Sequence, residues 1–556
     1  MNKQRKSLSV KLRLTAWIAA ISVSVVLLTA AGNKNFEITK QLDIFSTMFK
    51  EVVVNYVDEV NVSDMMKSGI DGMLSTLDPY TTFIPESQIE DVRFMTTGQY
   101  GGIGAVIRSR NDHMMIVEPY QGFPAHQAGL IPGDIILEIN GQSVKGLDSD
   151  ETRNLLTGQP GTSVDLLIER EEEDTPVEFR IEREVVQVDN IPHYDILDDR
   201  IAYIKLANFT RNAGREVRDA LQELREEHDV EGVIIDLRGN GGGLLNEAVN
   251  ISNLFIEKNQ LVVNTKARIE ERDTRHNTLN DPLDTEIPLA IVVDNASASA
   301  SEIVAGAIQD YDRGVVIGDR TFGKGLVQNV LPLSYNTRLK VTVAEYLIPS
   351  GRSIQAINYA ERREDGSVAK IPDSLRQAYE TRNGRIVYDG GGIAPDIDVE
   401  KPEPAQVTQN LIRQYMIFDY ASEFYRQHDT IPEPASFVID DDIYEDFLDF
   451  VERQGFDYDT QSEKLLKELQ DVTAEESYHD AVVEEIKRLE ETIRQEKGRD
   501  FVTFREEIEQ RLRAEIVSRY YYQKGQVIVS LDTDPDVEEA LEILSNRQSY
   551  EDVLTP

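Results

Sequence analysis

The chain has 556 residues, 40% of them apolar, which is too long for one ordinary core and enough to build three or four domains. Its net charge of −42, from 100 acidic and 58 basic residues, offers no cationic face to a phosphate backbone, so nucleic acid is excluded as an expected partner. With no cysteine, a thiol nucleophile, a thiolate metal site, disulfides and a lipid-modified N-terminal cysteine are also excluded.

Lys3, Arg5, Lys6, Lys11 and Arg13 precede an uncharged apolar run from Leu14 to Ala31, the pattern of an export signal. Residues 1–33 therefore read as a signal peptide or a membrane anchor. Small residues at Thr29-Ala30-Ala31-Gly32 suit cleavage, while the run sits at the lower length limit for a spanning helix, so both outcomes stand. The remainder is expected in the periplasm or at the outer face of the cytoplasmic membrane, touching lipid only through 14–31 if the run is retained.

Residues 34–97 read as a helical domain. Phe45, Phe49, Val52, Val53 and Tyr56 return at three- and four-residue intervals, and a second helix covers Val62–Leu77 until Pro79 stops it. Residues 98–190 change to short alternating runs, Gly104–Arg108, Met114–Pro119, Asp134–Ile139 and Ser163–Glu169. Two short helices interrupt them, at Pro124–Ala128 and Asp148–Thr157, the second with Asp148 and Glu151 at capping-box spacing. Residues 191–403 form an α/β core, because Glu231–Arg238 and Pro288–Asp294 are continuous apolar strands of the kind buried on both faces, each followed by a helical pattern. Residues 404–556 are acidic and mostly helical. Val482, Ile486, Leu489 and Ile493 form a stripe that reads as an intramolecular packing face, with Glu484/Arg488 and Glu490/Arg494 as i,i+4 pairs, and a further helix runs through Tyr520.

The chemistry concentrates in Ser297-Ala298-Ser299-Ala300-Ser301-Glu302, where a strand ends and a helix begins. Free N–H groups at a helix start can stabilise an oxyanion, and Ser299 is placed as a nucleophile beside them; the competing reading is a serine that merely caps the helix. A serine needs a base. Lys324, in Thr321-Phe322-Gly323-Lys324-Gly325, lies among glycines and apolar strands where desolvation favours the neutral amine, whereas an ordinary lysine is a solvated surface group. Gly318–Lys324 also fits the start of a phosphate-binding loop, but Gly325 stands where that motif needs Ser or Thr and the following residues read as a strand. Asp236-Leu237-Arg238-Gly239-Asn240-Gly241-Gly242-Gly243 could donate an amide to an oxyanion or could simply turn the chain. The seven histidines fall in no recognisable catalytic motif, although a triad needs proximity only in space.

Together these residues resemble the carboxyl-terminal processing peptidases, or tail-specific proteases, serine peptidases that use a Ser/Lys dyad; the likeness covers roughly Ile38–Glu400. The resemblance implies Ser299 as nucleophile, Lys324 as its base and Gln328 as the polar group orienting that lysine. It implies an oxyanion hole from the backbone N–H of Ala300 and of Gly241 or Gly242, with Asp310 as structural support. It also implies that Tyr100–Glu184 is an inserted PDZ domain, in which Gly101-Gly102-Ile103-Gly104 binds the substrate's terminal carboxylate and a tail adds as a strand beside Gly104–Ser109. In the family this domain can also gate the catalytic cleft. Two features depart from a minimal member: an insertion between Ile354 and Gly391-Gly392-Ile393-Ala394-Pro395-Asp396, and the residues beyond Glu400.

The expected fold is a multidomain α/β protein. It has a crotonase-like serine protease core, an inserted β-rich PDZ domain with two short helices, a helical N-terminal segment and a mostly helical C-terminal extension. The expected function is exported endopeptidase action on proteins with accessible C-termini, without metal or organic cofactor. The C-terminal helices are expected to serve self-association or an adaptor. The alternative is a catalytically inactive exported PDZ binding protein or chaperone, and fold analogy leaves a crotonase-like acyl-CoA enzyme as a remote third reading.

Overall fold

The computed structural model describes residues 35–556 apart from 172, 363–367 and 477, so the signal or anchor expected over 1–33 lies outside the described residues. Among those residues no helix is long and apolar enough to cross a membrane. The chain divides into two compact units at Pro79/Tyr80. In the first, α1 (35–55) is followed by α2 (Val62–Leu74), which starts where the Asn61 side chain accepts the N–H groups of Ser63 and Asp64.

The second unit opens with a strand where helix was expected. β1 (Thr82–Ile84) pairs antiparallel with Arg338–Lys340 of the core, and only then does α3 (Ile89–Thr97) form. Three residues are too few to show a period, so the strand is specified by its distant partner.

β2 (Gln99–Gly102) leads into the PDZ-like domain: β3 (Ala105–Arg110), β4 (His113–Pro119), α4 (Pro124–Gln127), β5 (Ile135–Ile139), β6 (Gln142–Ser143), α5 (Ser149–Leu156), β7 (Ser163–Glu169) and β8 (Val177–Glu182). β9 (Glu184–Gln187) returns to pair antiparallel with β2 and closes the excursion. The sheet order is β3-β4-β5-β7-β8, with β6 on β5, which leaves one edge of β3 unpaired among the described residues. Alternation does the local work: Val164, Leu166 and Ile168 of β7 point into the core with Met114, Ile116 and Ile136. The capping box on α5 is complete, with Glu151 N–H on Asp148 at 2.7 Å and Asp148 N–H on Glu151 at 3.0 Å.

The catalytic-type core follows with β10 (His193–Leu197), β11 (Ile201–Lys205), α6 (Ala213–Glu227), β12 (Gly232–Asp236), α7 (Leu245–Phe255), β13 (Leu261–Ala267), β14 (Thr274–Asn277), β15 (Leu289–Val293), α8 (Ala300–Asp310) and β16 (Val315–Gly318). After β17 (Leu326–Pro332) and β18 (Arg338–Leu347), the insertion folds as two hairpins. These are β19 (Ile357–Arg362) with β20 (Val368–Lys370), and β21 (Ala378–Glu380) with β22 (Ile386–Tyr388), before β23 (Ile397–Asp398). β10-β11-β12-β15-β16-β23 form one sheet, parallel except at β10; β1-β18-β13-β14, with β17 on β18, form a second. β12 and β15 are buried throughout, as their unbroken apolar runs require, and α6, α7 and α8 cover one face of their sheet.

The helical region comprises α9 (Gln406–Arg413), α10 (Met416–Gln427), α11 (Asp441–Arg453), α12 (Gln461–Glu475), α13 (His479–Lys497), α14 (Asp500–Thr503), α15 (Arg505–Leu531), α16 (Pro535–Ser545) and α17 (Arg547–Val553). It is not simply an appendage to a finished core. Val537, Ala540, Ile543, Leu544 and Tyr550 pack on Tyr203, Ile234, Val292 and Ile317, covering the second face of the core sheet. α13 packs against α12 with Ile486 buried, but the expected charge pairs are replaced: Glu484 meets Lys487 at 3.3 Å, and Glu490 accepts from Gln470 at 2.6 Å. A tertiary hydrogen bond to the neighbouring helix has displaced a solvent-exposed i,i+4 pair worth little. α15 passes beyond Tyr520 and breaks at Tyr522 (φ 55°, ψ −154°), whose ring meets His126 of the PDZ-like domain edge-on at 5.9 Å.

Candidate active site

β15 delivers the chain to the sharp turn 294–299, and α8 begins immediately after it. Ser299 has φ 56° and ψ −109°, a costly conformation for a residue with a β-carbon, held in place by its neighbours. The flanking serines supply that hold. Ser297 Oγ donates to the Leu237 carbonyl and Ser301 Oγ to the Asn240 carbonyl, both at 2.9 Å, and both side chains are fully buried. Ser299 differs: its hydroxyl meets the phenol of Tyr346. That phenol also donates to the Lys324 carbonyl. Burial, followed by the charge of Glu302, pushes the Tyr346 phenol far above its ordinary pKa and keeps it protonated.

Glu302, one turn into α8 and without solvent exposure, gathers four donors. Its Oε2 accepts the backbone N–H of Ser299 at 2.8 Å and of Lys324 at 2.9 Å; its Oε1 accepts Thr321 Oγ at 2.6 Å and Gly323 N–H at 2.7 Å. One oxygen thus fixes the backbones of Ser299 and Lys324 beside each other, although 25 positions separate them in sequence. Burial raises the pKa of this carboxyl, opposed by the four donors. Thr321 is held in turn by the strap 391–393: its N–H donates to the Ile393 carbonyl and its Oγ accepts Ile393 N–H at 2.7 Å.

The Lys324 ammonium lies 4.5 Å from the ring centroid of Tyr80, which packs edge-on against Tyr359. Gln328, expected to orient the lysine, lies in β17 and sends its amide N–H groups to Leu326 O and Thr342 Oγ1, each at 3.3 Å. The loop 318–324 runs from β16 into β17, so no helix follows Lys324 to serve a phosphate. Among the described residues no histidine is hydrogen-bonded to Ser299.

The glycine-rich loop after β12 touches the serine turn. At Gly242 (φ 94°) a β-carbon would stand 2.6 Å from Ala298 O and 2.8 Å from both Ala300 N and Ser299 Cβ, so only glycine permits the approach. Gly242 N–H is engaged by Asn240 Oδ1 at 2.9 Å, whereas Gly241 is exposed and open at its α-carbon. Ala300 occupies the first position of α8, where helix geometry leaves the N–H without an intrahelical acceptor. The base of the loop is clamped electrostatically. Burial alone would raise the Asp236 pKa, but Lys205 at 3.0 Å and Arg238 at 2.7 Å hold it well below the usual carboxylate range. Arg238 reaches on to Asp534 and Asp536 at the start of α16, at 2.7 and 3.0 Å. Asp310 lies at the other end of α8, accepting Ser350 N–H at 2.8 Å and pairing with Arg352 at 2.9 Å, a supporting position away from Ser299.

In the PDZ-like domain, Gly101 and Gly102 belong to β2 and are buried, with Gly101 N–H on Glu90 Oε2 at 3.2 Å. Ile103 points into the domain core, and Gly104, at φ 75°, passes so close to Phe123 that a β-carbon would stand 2.6 Å from it. α5 lies beside β3, and the Tyr415 hydroxyl reaches the Ser109 carbonyl at 3.4 Å.

Sequence reasoning missed Glu302, Tyr346, Tyr80 and Asn240 as organisers of this site. Glu302 was findable, three residues after Ser299 at capping-box spacing. Tyr80 and Tyr346 carry no local signal, since folding brings one in from ahead of the PDZ-like domain and the other from β18.

The model of Peptidase family S41 matches residues 200–361, that of a PDZ domain residues 115–170, and that of the probable PDZ-protease C-terminal helical domain residues 407–544. A carboxy-terminal-processing protease of Bartonella bacilliformis is 33% identical over 342 residues, covering 61% of this chain and 78% of that protein. A probable CtpA-like serine protease of Staphylococcus aureus is 30% identical over 385 residues, covering 67% and 76%. The solved structure of a photosystem II D1 C-terminal processing protease aligns with a TM-score of 0.37 at 24% identity, covering 64% of this chain and 86% of that one. The chain belongs to peptidase family S41. It is a serine-type peptidase that carries a PDZ domain and a C-terminal helical domain.

Proposed function

We propose that the chain is an exported endopeptidase that binds substrate tails through its PDZ domain and cuts peptide bonds with Ser299 as nucleophile and Lys324 as general base. The observation that carries this reading is the single Glu302 oxygen that receives both backbone N–H groups. In the neutral amine form, Lys324 takes the proton as Ser299 Oγ attacks the carbonyl carbon, and returns it to the departing amine. Water then cleaves the acyl-enzyme by the same route, and no cofactor enters the balance. Ala300 N–H and an amide of the Gly241–Gly242 turn are the oxyanion donors; Gly241 is favoured because the Gly242 donor is already engaged. In the resting state the Ser299 hydroxyl donates a hydrogen bond to the phenol oxygen of Tyr346, and the ring of Tyr80 holds the lysine close by.

Tail recognition is supported by the unpaired edge of β3, to which an extended segment can add beside α5 with its carboxylate toward Gly101–Gly104. Export rests on the basic flank and apolar run of residues 3–31. Self-association is assigned to the α12–α13 hairpin, where Leu465, Leu469, Val472 and Leu489 are exposed; a Leu469→Glu/Leu489→Glu protein of unchanged solution mass would refute that assignment.

The activity is tested by incubating the protein with unstructured peptides that differ only in their last residues and identifying the products by mass spectrometry. Cleavage that depends on the tail and is lost in folded Ser299→Ala and Lys324→Ala proteins supports the assignment. Activity surviving Ser299→Ala overturns it, and tail binding without cleavage points to an exported binding protein instead.

A further inference from the structure

A cleft of about 640 Å³ is lined by the elements into which the two loops at Ser299 lead, though Ser299 and Lys324 do not themselves line it. One wall is the start of α7, Leu244–Glu247, two residues after Gly242; the facing wall is the sheet of β13, β14, β17 and β18, where β17 begins two residues after Lys324.

The charge of the cleft runs against that of the protein. In a chain of net charge −42, the cleft is lined by Arg211, Arg272 and His276, against one carboxylate, Glu247. Glu247 is already committed: it is buried, and its Oε2 accepts Gly214 N–H at 2.9 Å. Arg211 and Arg272 are exposed at the cleft and neither guanidinium has a hydrogen-bond or ion-pair partner among the described residues, whereas the less exposed Arg225, Arg238 and Arg385 elsewhere in the core are each bound to carboxylates at 3.0 Å or less. The N-cap of α7 is Leu244, whose side chain cannot accept a hydrogen bond; Glu247 N–H is taken by the Leu244 carbonyl at 3.0 Å, which leaves the N–H groups of Leu245 and Asn246 without a capping side chain. Burial lowers the pKa of His276, so near neutral pH the two guanidiniums carry the charge. Two unpaired guanidiniums and an uncapped helix start facing one hollow make a receptor for an anion, and a carboxylate is the anion a polypeptide substrate carries.

We propose that this cleft is a specificity subsite that takes a carboxylate of the substrate chain, an Asp or Glu side chain close to the scissile bond, held by Arg211 and Arg272. The proposal rests on Ser299 being the reacting centre, because the cleft acquires its position in the substrate path from that assignment. Unlike the PDZ contact with a tail, this subsite reads sequence at the cut itself.

The test uses peptides with a common tail and Asp, Asn or Lys at each of the four positions on either side of the mapped cut, with free or amidated C-termini. Turnover is followed in wild type, Arg272→Gln and Arg211→Gln/Arg272→Gln. Binding to the Ser299→Ala protein is followed by fluorescence anisotropy, so that the subsite is read even if no peptide is cut. One charge-assisted contact should give an Asp-over-Asn preference of about 10-fold at one position, seen in KM or Kd and weakened by salt. In the double variant the preference should shrink to within about 2-fold, and Arg272→Lys should restore part of it. If amidation alone abolishes the effect at every position, the carboxylate being read is that of the chain terminus, the anion assigned to the PDZ domain, and the proposal is overturned. Equal handling of Asp and Asn throughout, or a preference unchanged in the double variant, overturns the proposal. A wild type that binds with the preference but does not cut refutes the proposed activity and leaves the subsite supported.

Discussion

Replacing Glu302 by Gln tests whether one carboxylate assembles the site. The two oxygens accept two donors each, so whichever way the new amide lies, its NH2 faces two N–H or O–H groups. Two charge-assisted hydrogen bonds are lost, at about 1.5–3 kcal/mol each, for a local cost of about 3–6 kcal/mol. The lower bound corresponds to a factor of roughly 100. Amide hydrogen exchange reads this directly: protection of Ser299, Gly323 and Lys324 should fall by at least about 100-fold, with far-UV circular dichroism unchanged because the sheet and α8 keep their apolar contacts. Peptide turnover should fall by a similar factor, through kcat more than KM. Unchanged protection at these amides, or turnover within about 2-fold of wild type, would show that the backbones are held by something else.

The raised pKa of Glu302 predicts an acid limb in kcat above the ordinary glutamate value of 4.5. Because the folded state binds this proton more tightly than the unfolded state, the group's own contribution to stability is present below 4.5 and declines as pH rises through the folded pKa. Turnover should therefore fall reversibly while circular dichroism stays native, and coincident loss of both signals would contradict it. Gly242→Ala should reduce turnover about 100-fold by displacing the Ser299 turn, with tail binding to the PDZ domain unchanged by anisotropy; full activity would remove the close approach from the account. Deleting residues 535–556 uncovers the sheet face under Val537, Ile543, Leu544 and Tyr550. At about 1.5–3 kcal/mol per large side chain the loss of about 6–12 kcal/mol rivals the 5–15 kcal/mol that holds a typical domain together. The truncated protein should be aggregated on size-exclusion chromatography, and a soluble, active product would refute the role given to α16 and α17.

By itself the sequence determined the local elements and singled out the candidate residues of the proposed reaction. Alternation in Ser163–Glu169 wrote a half-buried strand, the spacing of Asp148 and Glu151 wrote a helix start, and the unbroken apolar runs before Arg238 and Asp294 wrote strands covered on both faces. These are short-range statements, because side-chain period and capping depend on residues within a turn or two. Ser299 and Lys324 stood out for the same reason: each lies in a local pattern of small residues beside a strand. Which groups surround them was decided by tertiary structure. Tyr80 arrives from ahead of the PDZ-like domain and Tyr346 from β18, and the second face of the central sheet is closed by helices more than 200 positions downstream. Contacts between segments so far apart leave no period in either one, so burial on both faces could be read from β12 and β15, while the identity of the cover could not.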